Sequence, residues 1–374
     1  MKITAVRPYL MRAVERNWLF VKVETDSGLH GWGEASLELK ERTVAQAVTD
    51  LEPFLIGQDP TRIEHLWQML YRHGFWRGGV VILSAISGID QALWDLTGKA
   101  YGVPVYKLLG GAVRDRIRLY THGGPEQVPA IREAGFTAVK SGPGVDTSGP
   151  RHHEVASKFA EYVRRMRAAG GDDFDVMIDN HGTSTPQQAI QMLSAVDELG
   201  LFFFEEPCPP DNVDAIEPVA RRGFNTPLAT GERLFTRWGY RSLIEKQLVS
   251  VIQPDLCHAG GISEVRRIAS MAETYYIKVA PHNPYGPVST AACLHLCAAI
   301  PNFHILEYVW TNEPWRSRVQ KGDPMRNEAG YLSLPDRPGL GIDLDEDVIA
   351  SRPYELQDAT AYTRFDSEGA VADA

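Results

Sequence analysis

Three carboxylates follow one another along the middle of the chain at nearly equal spacing. Asp179, Glu205 and Glu232 are 26 and 27 residues apart, and each comes at or just after a short apolar run. One strand–helix repeat has about this length, so the three side chains are expected at the mouth of one parallel barrel. Carboxylates this close repel one another in a partly dry site unless a cation lies between them. All-oxygen ligation suits Mg²⁺, with Mn²⁺ as the natural substitute.

Each of these acids could instead cap the helix that follows it. That alternative explains one acid well, but three acids in successive repeats favour the metal site.

Two histidines could supply acid–base chemistry at the same mouth. His282 follows Asp255 by 27 residues, again about one repeat. A carboxylate on the neighbouring strand can fix the tautomer of His282 and leave its other nitrogen as a general base. His181 lies two residues beyond Asp179, so in an extended segment it would face the mouth and could protonate a leaving group. For His282 and Asp255, the alternative is a His–Asp pair with a purely structural role.

Eight parallel strands are needed to position these groups. From about residue 118 short apolar runs alternate with amphipathic helices, and the runs that read as strands are 118–121, 137–140, 176–179, 201–205, 227–230, 251–255, 277–280 and 304–307. Polar residues stand at the end of nearly every run, including Lys140 and Glu307. We therefore predict an α/β fold with a modified (β/α)₈ TIM-like barrel, whose active site lies at the carboxyl ends of the strands. His122, at the first strand, could line that site.

The N-terminal third follows a different pattern. Residues 19–25 and 29–34 alternate like the two strands of a hairpin, with a turn at Asp26-Ser27-Gly28, and three amphipathic helical stretches follow. We predict an α+β capping domain over residues 1–117 and the catalytic barrel over 118–325. The last segment, 326–374, is expected to return to the capping domain.

Composition narrows the class of protein. A net charge of −10 argues against nucleic acid or an anionic membrane as a partner. No signal peptide and no run of about 18 apolar residues are recognisable, so a cytoplasmic protein is expected. The four cysteines are too few for a disulfide scaffold, and buried free thiols are favoured. Phosphate-binding glycine motifs and a G-x-S-x-G elbow do not occur.

Several short motifs together identify a family. They are Gly31-Trp32-Gly33-Glu34, Ser87-Gly88-Ile89-Asp90, Phe204-Glu205-Glu206-Pro207, Gly231-Glu232-Arg233, Gln253-Pro254-Asp255, His258-Ala259-Gly260-Gly261 and Ala280-Pro281-His282. With them the chain resembles, over nearly its whole length, the mandelate-racemase branch of the enolase superfamily, and within it the sugar-acid dehydratases of the galactonate dehydratase type.

The resemblance implies roles for particular residues. Mg²⁺ would be held by Asp179, Glu205 and Glu232, and His282 with Asp255 would form the base. Glu307 would hydrogen-bond the substrate carboxylate, as a donor if protonated, and Lys140 would lie beside the enediolate oxygens. Substrate-binding positions in the cap would be Arg16, Trp18 and Trp76, although both tryptophans could equally be interdomain core. The family also implies a symmetric homo-oligomer.

One departure from the racemase pattern decides the expected reaction. Racemases of this branch have a Lys-x-Lys pair on the second barrel strand, whereas this chain reads Lys140-Ser141-Gly142. A dehydratase is therefore expected: His282 removes the C2 proton of a sugar acid, His181 protonates the departing C3 hydroxyl, and a 2-keto-3-deoxy acid results. The alternatives are an epimerase, racemase or cycloisomerase on the same scaffold and, third, a non-catalytic binding protein.

Overall fold

A three-stranded antiparallel sheet begins the chain in this computed structural model, which describes residues 1–14, 16–147, 152–358, 360, 363–365 and 368–372. Its strands β1 (Ile3–Arg12), β2 (Asn17–Thr25) and β3 (His30–Glu34) lie in that order. The predicted hairpin corresponds to β2 and β3. Strand β1 was not predicted, because Pro8 breaks its pattern; the proline is tolerated since β1 is at the edge of the sheet.

Two helices, α1 (Glu41–Leu55) and α3 (Val80–Tyr101), pack on this sheet, and α2 (Ile63–Arg72) and the short α4 (Val105–Leu108) pack on α3. The closest approach is between β3 and α3. A Cβ atom on Gly33 would lie 1.8 Å from the carbonyl oxygen of Gly88, and one on Gly31 would lie 2.1 Å from that of Ala92. The two glycines that flank Trp32 are thus required for this contact.

Helix α3 is apolar enough, and long enough at 22 residues, to cross a membrane by those criteria alone. No apolar stretch of this length was predicted from the sequence. In the fold, 78% of its most apolar 18-residue window is buried, so α3 has the surroundings of a central core helix.

The barrel consists of eight short parallel strands that alternate with helices. The strands are β4 (Arg116–His122), β5 (Ala138–Ser141), β6 (Asp175–Asp179), β7 (Phe203–Glu205), β8 (Leu228–Thr230), β9 (Val251–Ile252), β10 (Lys278–Val279) and β11 (Leu306–Glu307). The helices between them are α5 (Val128–Glu133), α6 (His152–Gly170), α7 (Pro186–Val196), α8 (Glu217–Ala220), α9 (Thr236–Glu245), α10 (Gly261–Glu273) and α11 (Pro287–Ala299).

The eight strands close into a ring. The pairing order runs from β10 through β9, β8, β7, β6, β5 and β4 to β11. The last gap is closed just before β11, where Val279 bridges in parallel to Phe303 and the backbone N–H of His304 donates to the Val279 carbonyl oxygen at 2.8 Å. The predicted barrel with an N-terminal α+β cap is confirmed.

The inside of the barrel is filled by one layer of side chains below the mouth. Its members are Tyr120, Ala138, Met177, Phe203, Ala229, Val251, Ala280 and Ile305. Side chains two positions apart on a strand share a face, so the residue two places after Met177, Phe203 or Ile305 also points inward, one layer higher. Those residues are Asp179, Glu205 and Glu307.

The C-terminal segment crosses back to the N-terminal sheet. It contains α12 (Glu313–Val319), β12 (Tyr331–Ser333), α13 (Glu346–Ala350), β13 (Arg364–Phe365) and β14 (Val371–Ala372). The Glu346 carboxylate accepts hydrogen bonds from Tyr9 Oη at 3.0 Å and Lys22 Nζ at 2.7 Å. These contacts agree with a segment that returns to the cap, and the boundaries at residues 117/118 and 325/326 stay a proposal.

All four cysteines are buried free thiols, as predicted.

Buried His295 is expected to make folding sensitive to acid. Its side chain is fully buried in α11, and Nδ1 accepts a hydrogen bond from the Tyr106 backbone N–H at 3.1 Å. Burial lowers the pKa of His295 from 6.5 to about 4. Below pH 6.5 the unfolded chain binds a proton that the folded chain does not, so the stability present above that pH is lost progressively toward the folded pKa of about 4.

Urea unfolding at about pH 7.5 and about pH 5 measures this effect. Wild type is expected to lose roughly 2 kcal/mol more free energy of unfolding over that interval than His295→Gln, whose amide oxygen can still accept from Tyr106. Equal losses in the two proteins would assign the acid sensitivity to other groups.

Candidate active site

The three carboxylates predicted to bind metal lie together at the barrel mouth. Asp179 ends β6 and Glu205 ends β7, and the two are direct neighbours in the parallel register. Glu232 follows β8. One carboxylate oxygen of each lies within 4.8 Å of the others. Glu232 Oε2 is buried and has no hydrogen bond among the described residues, and buried Glu205 Oε2 has an ion-pair contact with Lys140 Nζ at 2.9 Å. An all-oxygen set with such a buried, unsatisfied acceptor fits Mg²⁺.

Electrostatics at this cluster also favours a cation. Burial, together with the charge of Asp179, raises the pKa of Glu205 to about 8. An acid held this way binds a proton near neutral pH unless another positive charge replaces it. A divalent cation would supply that charge.

Lys140 contacts two of these three acids, Asp179 and Glu205, and also Glu307. Its side chain is 4% exposed, and Nζ lies 3.3 Å from Asp179 Oδ2, 2.9 Å from Glu205 Oε2 and 3.1 Å from Glu307 Oε1. Burial alone would lower the pKa of Lys140, but the carboxylates of Glu205 and Glu307 raise it well above its usual value. The ammonium is therefore charged near neutral pH beside the acids predicted to bind metal.

His282 and Asp255 form the predicted pair. His282 Nδ1 lies 2.6 Å from Asp255 Oδ2, and Asp255 Oδ1 accepts a hydrogen bond from the Cys257 backbone N–H at 2.6 Å. Nδ1 must donate to the carboxylate, so Nε2 is the nitrogen left for chemistry. It lies 3.5 Å from Glu232 Oε2, at the edge of the carboxylate cluster. The geometry is that of an oriented base, whose catalytic role stays a prediction.

Glu307 is held between cationic and hydrogen-bond-donating groups. Its Oε2 accepts from the Asn283 backbone N–H at 2.7 Å, and its Oε1 lies 2.5 Å from His122 Nε2. Burial would raise the pKa of Glu307, but Lys140 and His282 hold it well below its usual value. Glu307 is thus ionised in this arrangement, so the protonated form that could donate a hydrogen bond to substrate is disfavoured, and its contact with substrate stays a prediction.

His181 reaches the site by an unexpected backbone path. The residue is in the left-handed region, with φ of 50°, and not in the extended conformation assumed from the Asp-x-His spacing. Its ring Nε2 lies 3.0 Å from Asp179 Oδ2, and its backbone N–H donates to Asp179 Oδ1 at 2.9 Å. The hydrogen bond to Asp179 raises the pKa of His181 to about 9, which keeps the ring protonated near neutral pH.

The second acid of the Glu205-Glu206 pair does different work. Glu206 forms a two-point ion pair with Arg233, in which Nε donates at 2.8 Å and Nη2 at 2.6 Å. Nη2 also donates to the carbonyl oxygen of His181 at 2.8 Å. The pair therefore braces the His181 turn from behind. Arg233 was not predicted as a site residue, although it follows Glu232 directly in a motif already noted.

A cavity of about 860 Å³ opens above this cluster. The predicted residues that line it are Arg16, His122, Lys140, Asp179, His181, Glu232, His282 and Glu307. Glu205 and Asp255 are fully buried beneath its floor. A second cleft of about 920 Å³, bounded by α2, α3 and α10, contains none of the predicted residues.

Two of the cap predictions do not agree with the structure. Trp18 is fully buried and packs edge-to-face on Phe20 at 6.1 Å, so it belongs to the core and does not line the cavity. Trp76 is 89% exposed and packs edge-to-face on Phe75. It does not line the cavity either. Arg16 does line it and forms an ion pair with Glu38.

The cap is fixed to the barrel by Glu34, which was also missed. Its buried carboxylate accepts hydrogen bonds from the backbone N–H groups of Gly286 at 2.7 Å and Ser289 at 2.9 Å, at the start of α11. A carboxylate there is favoured by the helix dipole. A strand of the cap thus holds the loop that follows His282.

A closed parallel barrel with three carboxylates at successive strand ends, a buried lysine and a His–Asp pair defines a metal-dependent enzyme of the enolase class. Comparison with known proteins gives the family. Residues 5–110 match the mandelate racemase / muconate lactonizing enzyme N-terminal domain, and residues 125–348 match the enolase C-terminal domain-like family. The chain belongs to the mandelate racemase / muconate lactonizing enzyme family of the enolase superfamily.

Individual relatives agree over the whole chain. A D-galactonate dehydratase of Ralstonia pickettii is 40% identical, and one of Pectobacterium atrosepticum is 38% identical, each over 100% of both chains. An enolase from Pantoea ananatis, solved with D-gluconate and Mg bound, is 31% identical with a TM-score of 0.93 over 100% of both chains. An Agrobacterium radiobacter enolase, solved with Na and L-malate, is 36% identical with a TM-score of 0.92 over the same coverage.

Proposed function

We propose that the protein is a Mg²⁺-dependent hydro-lyase that dehydrates a sugar acid, an aldonate of the galactonate kind, to a 2-keto-3-deoxy acid. The observation that best supports this reaction is the placement of two histidines. His181 follows β6 and His282 follows β10, and these strands are four apart in a ring of eight. The two rings therefore lie on opposite sides of the mouth, around one carboxylate cluster. The curated relatives named D-galactonate dehydratase support the same reaction.

Asp179, Glu205 and Glu232 would hold the metal. When bound, Mg²⁺ acts as a Lewis acid that stabilises negative charge developing on the substrate oxygens.

His282 would take the proton from C2. Its Nδ1 donates to Asp255 at 2.6 Å, which leaves Nε2 as the nitrogen that would take the proton and stabilises the imidazolium that forms. Burial would lower the pKa of His282, but the carboxylates of Glu232 and Glu307 raise it well above its usual value, so a cation that offsets the charge of Glu232 would favour the neutral, basic ring. The ammonium of Lys140 lies in the same cavity and would stabilise the negative charge left on the carboxylate side of the substrate. Glu307, which is ionised, would orient Lys140 and accept a hydrogen bond from the substrate.

His181 would protonate the C3 hydroxyl as it leaves. Its side chain is 56% exposed and its ring is charged through Asp179, so it can deliver a proton from the side opposite His282. Loss of water gives an enol, which tautomerises to the 2-keto acid. A racemase would need a second base there, and this chain has Gly142 where racemases have their second lysine.

Arg16 and His122 are the residues that we propose for contact with the rest of the sugar chain, since both line the cavity beyond the reacting groups. We also propose a cytoplasmic homo-oligomer without nucleic-acid or membrane partners. The four free thiols support the location, and the net charge of −10 supports the absence of nucleic-acid and anionic-membrane partners.

The reaction is tested by incubating the purified protein with Mg²⁺ and a panel of C5 and C6 aldonic and aldaric acids. Formation of 2-keto acid, measured as its semicarbazone, is expected with one aldonate or a few closely related ones, because the cavity is large enough for a six-carbon acid.

The same panel in deuterium oxide separates the alternatives. Deuterium at C2 without keto acid would indicate an epimerase or racemase and contradict the dehydratase. Neither exchange nor product with any acid would favour a binding protein.

A further inference from the structure

The motif His258-Ala259-Gly260-Gly261 has no role in the proposed reaction, yet His258 lines the active-site cavity. Its side chain is 6% exposed and follows β9, three residues after Asp255. Nδ1 lies 2.8 Å from Ser84 Oγ of the cap helix α3, and Nε2 lies 2.9 Å from Tyr285 Oη. The three side chains come from three separate segments and form one hydrogen-bonded row.

The direction of the hydrogen bonds in this row follows from counting protons. Ser84 has one hydroxyl proton, and its Oγ lies 2.7 Å from the carbonyl oxygen of Val80, which can only accept. If that proton goes to Val80, His258 Nδ1 must donate to Ser84 Oγ. His258 Nε2 is then an acceptor, and the Tyr285 hydroxyl donates to it. All three hydrogen bonds are made.

The reverse direction satisfies fewer groups. If Ser84 donates to Nδ1, then Nε2 donates to Tyr285, and the contact between Ser84 Oγ and the Val80 carbonyl has no proton. One hydrogen bond is lost in a buried setting, where an unmade bond is costly. Burial also lowers the pKa of His258, which favours the neutral ring, and raises that of Tyr285 well above its usual value, so the phenol keeps its proton.

Tyr285 is held firmly in place. Its backbone carbonyl oxygen accepts from Arg316 Nε at 2.8 Å and Nη2 at 2.5 Å. Its ring stands edge-to-face to His282, with ring centres 6.1 Å apart at 87°, and it lines the same cavity. The Tyr285 ring thus stands beside the proposed base, and its only hydroxyl proton is directed toward His258.

We infer that Tyr285 is a substrate-binding residue whose oxygen accepts a hydrogen bond from a hydroxyl of the polyhydroxy acid, and that Ser84 and His258 are positioning residues that fix this direction. The inference rests on the proposed function for the nature of the ligand. It means that a helix of the cap, from outside the cavity, influences which hydroxyls of the substrate are selected.

The proton positions are tested directly on the Mg²⁺-loaded protein by ¹⁵N NMR of labelled histidine, with the His258 signals assigned by their absence in His258→Gln. We expect a proton on Nδ1 and none on Nε2. A proton on Nε2, or on both nitrogens, would overturn the inference. This measurement needs no substrate, so it tests the direction of the hydrogen bonds in the row even if no sugar acid is turned over.

Kinetics with D-galactonate test the binding role. Tyr285→Phe and Ser84→Ala are each expected to raise KM about three- to tenfold, the loss of one neutral hydrogen bond, with little change in kcat. Adding Ser84→Ala to Tyr285→Phe should raise KM no further, because Ser84 acts through Tyr285.

Ser194→Ala is the matched control. Ser194 makes the same helical hydrogen bond, to the Ile190 carbonyl oxygen at 2.7 Å, on the outside of the barrel. Its KM should equal that of wild type. An unchanged KM in Tyr285→Phe, or additive effects in the double variant, would contradict the inference.

Discussion

The Glu205→Gln variant is expected to fold normally and to lose turnover by more than about 10³-fold. Glutamine has the same shape but replaces one ligand oxygen and removes the charge that attracts Mg²⁺. The fold should not suffer, because burial and Asp179 already oppose ionisation of Glu205 and raise its pKa to about 8, and Lys140 keeps its ion pairs with Asp179 and Glu307. Without added metal, the melting temperature should therefore be equal to that of wild type or higher.

Calorimetric titration with Mg²⁺, together with melting curves at increasing Mg²⁺, checks this expectation. Wild type should bind and be stabilised by the ion, whereas Glu205→Gln should show neither effect. Glu206→Gln is the matched control, since its side chain faces Arg233; it should still bind Mg²⁺ but melt at a lower temperature because a buried ion pair is broken. Unimpaired Mg²⁺ binding by Glu205→Gln would refute the ligand assignment.

The His282→Asn variant is expected to lose about 10²- to 10⁴-fold in kcat, the usual contribution of a positioned general base. Asparagine can still donate to Asp255, so the loop should keep its shape. Exchange of the C2 proton with deuterium oxide should disappear together with product, because both need the same base. Mg²⁺ binding should persist.

His295→Gln is a suitable comparison for this variant, since His295 is buried in α11 away from the cavity. It should keep wild-type kcat. Retention of C2 exchange by His282→Asn would show that another group removes the proton.

The strand ends were predictable because their signal is local. A buried strand needs an apolar run, and a polar residue at its end, repeated every 23 to 27 residues, has few structural explanations. The three carboxylates and the His282–Asp255 pair are brought together in the structure as expected. The backbone at His181 was not predicted, since a left-handed residue leaves no mark in the spacing.

Contacts between cap and barrel could not be read from the chain. Ser84 and His258 are 174 residues apart, and Glu34 reaches Gly286 across 252. No periodicity links such pairs. Trp18 is a second example of a position that depends on tertiary packing. From the sequence, a tryptophan near a cap loop resembles a ligand contact, and only the packing of β2 on its neighbours shows that it belongs to the core.

The layered interior of the barrel restricts where insertions and deletions can be accepted. Asp179, Glu205, His282 and Glu307 each follow a side chain that fills the barrel by two residues, on or just after strands of two to five residues. Inserting or deleting one codon within a strand would turn its functional group from the mouth toward the surrounding helices, because faces alternate at every residue. Length variation among natural variants should therefore be confined to the loops, where substrate preference can diverge while the chemistry is preserved.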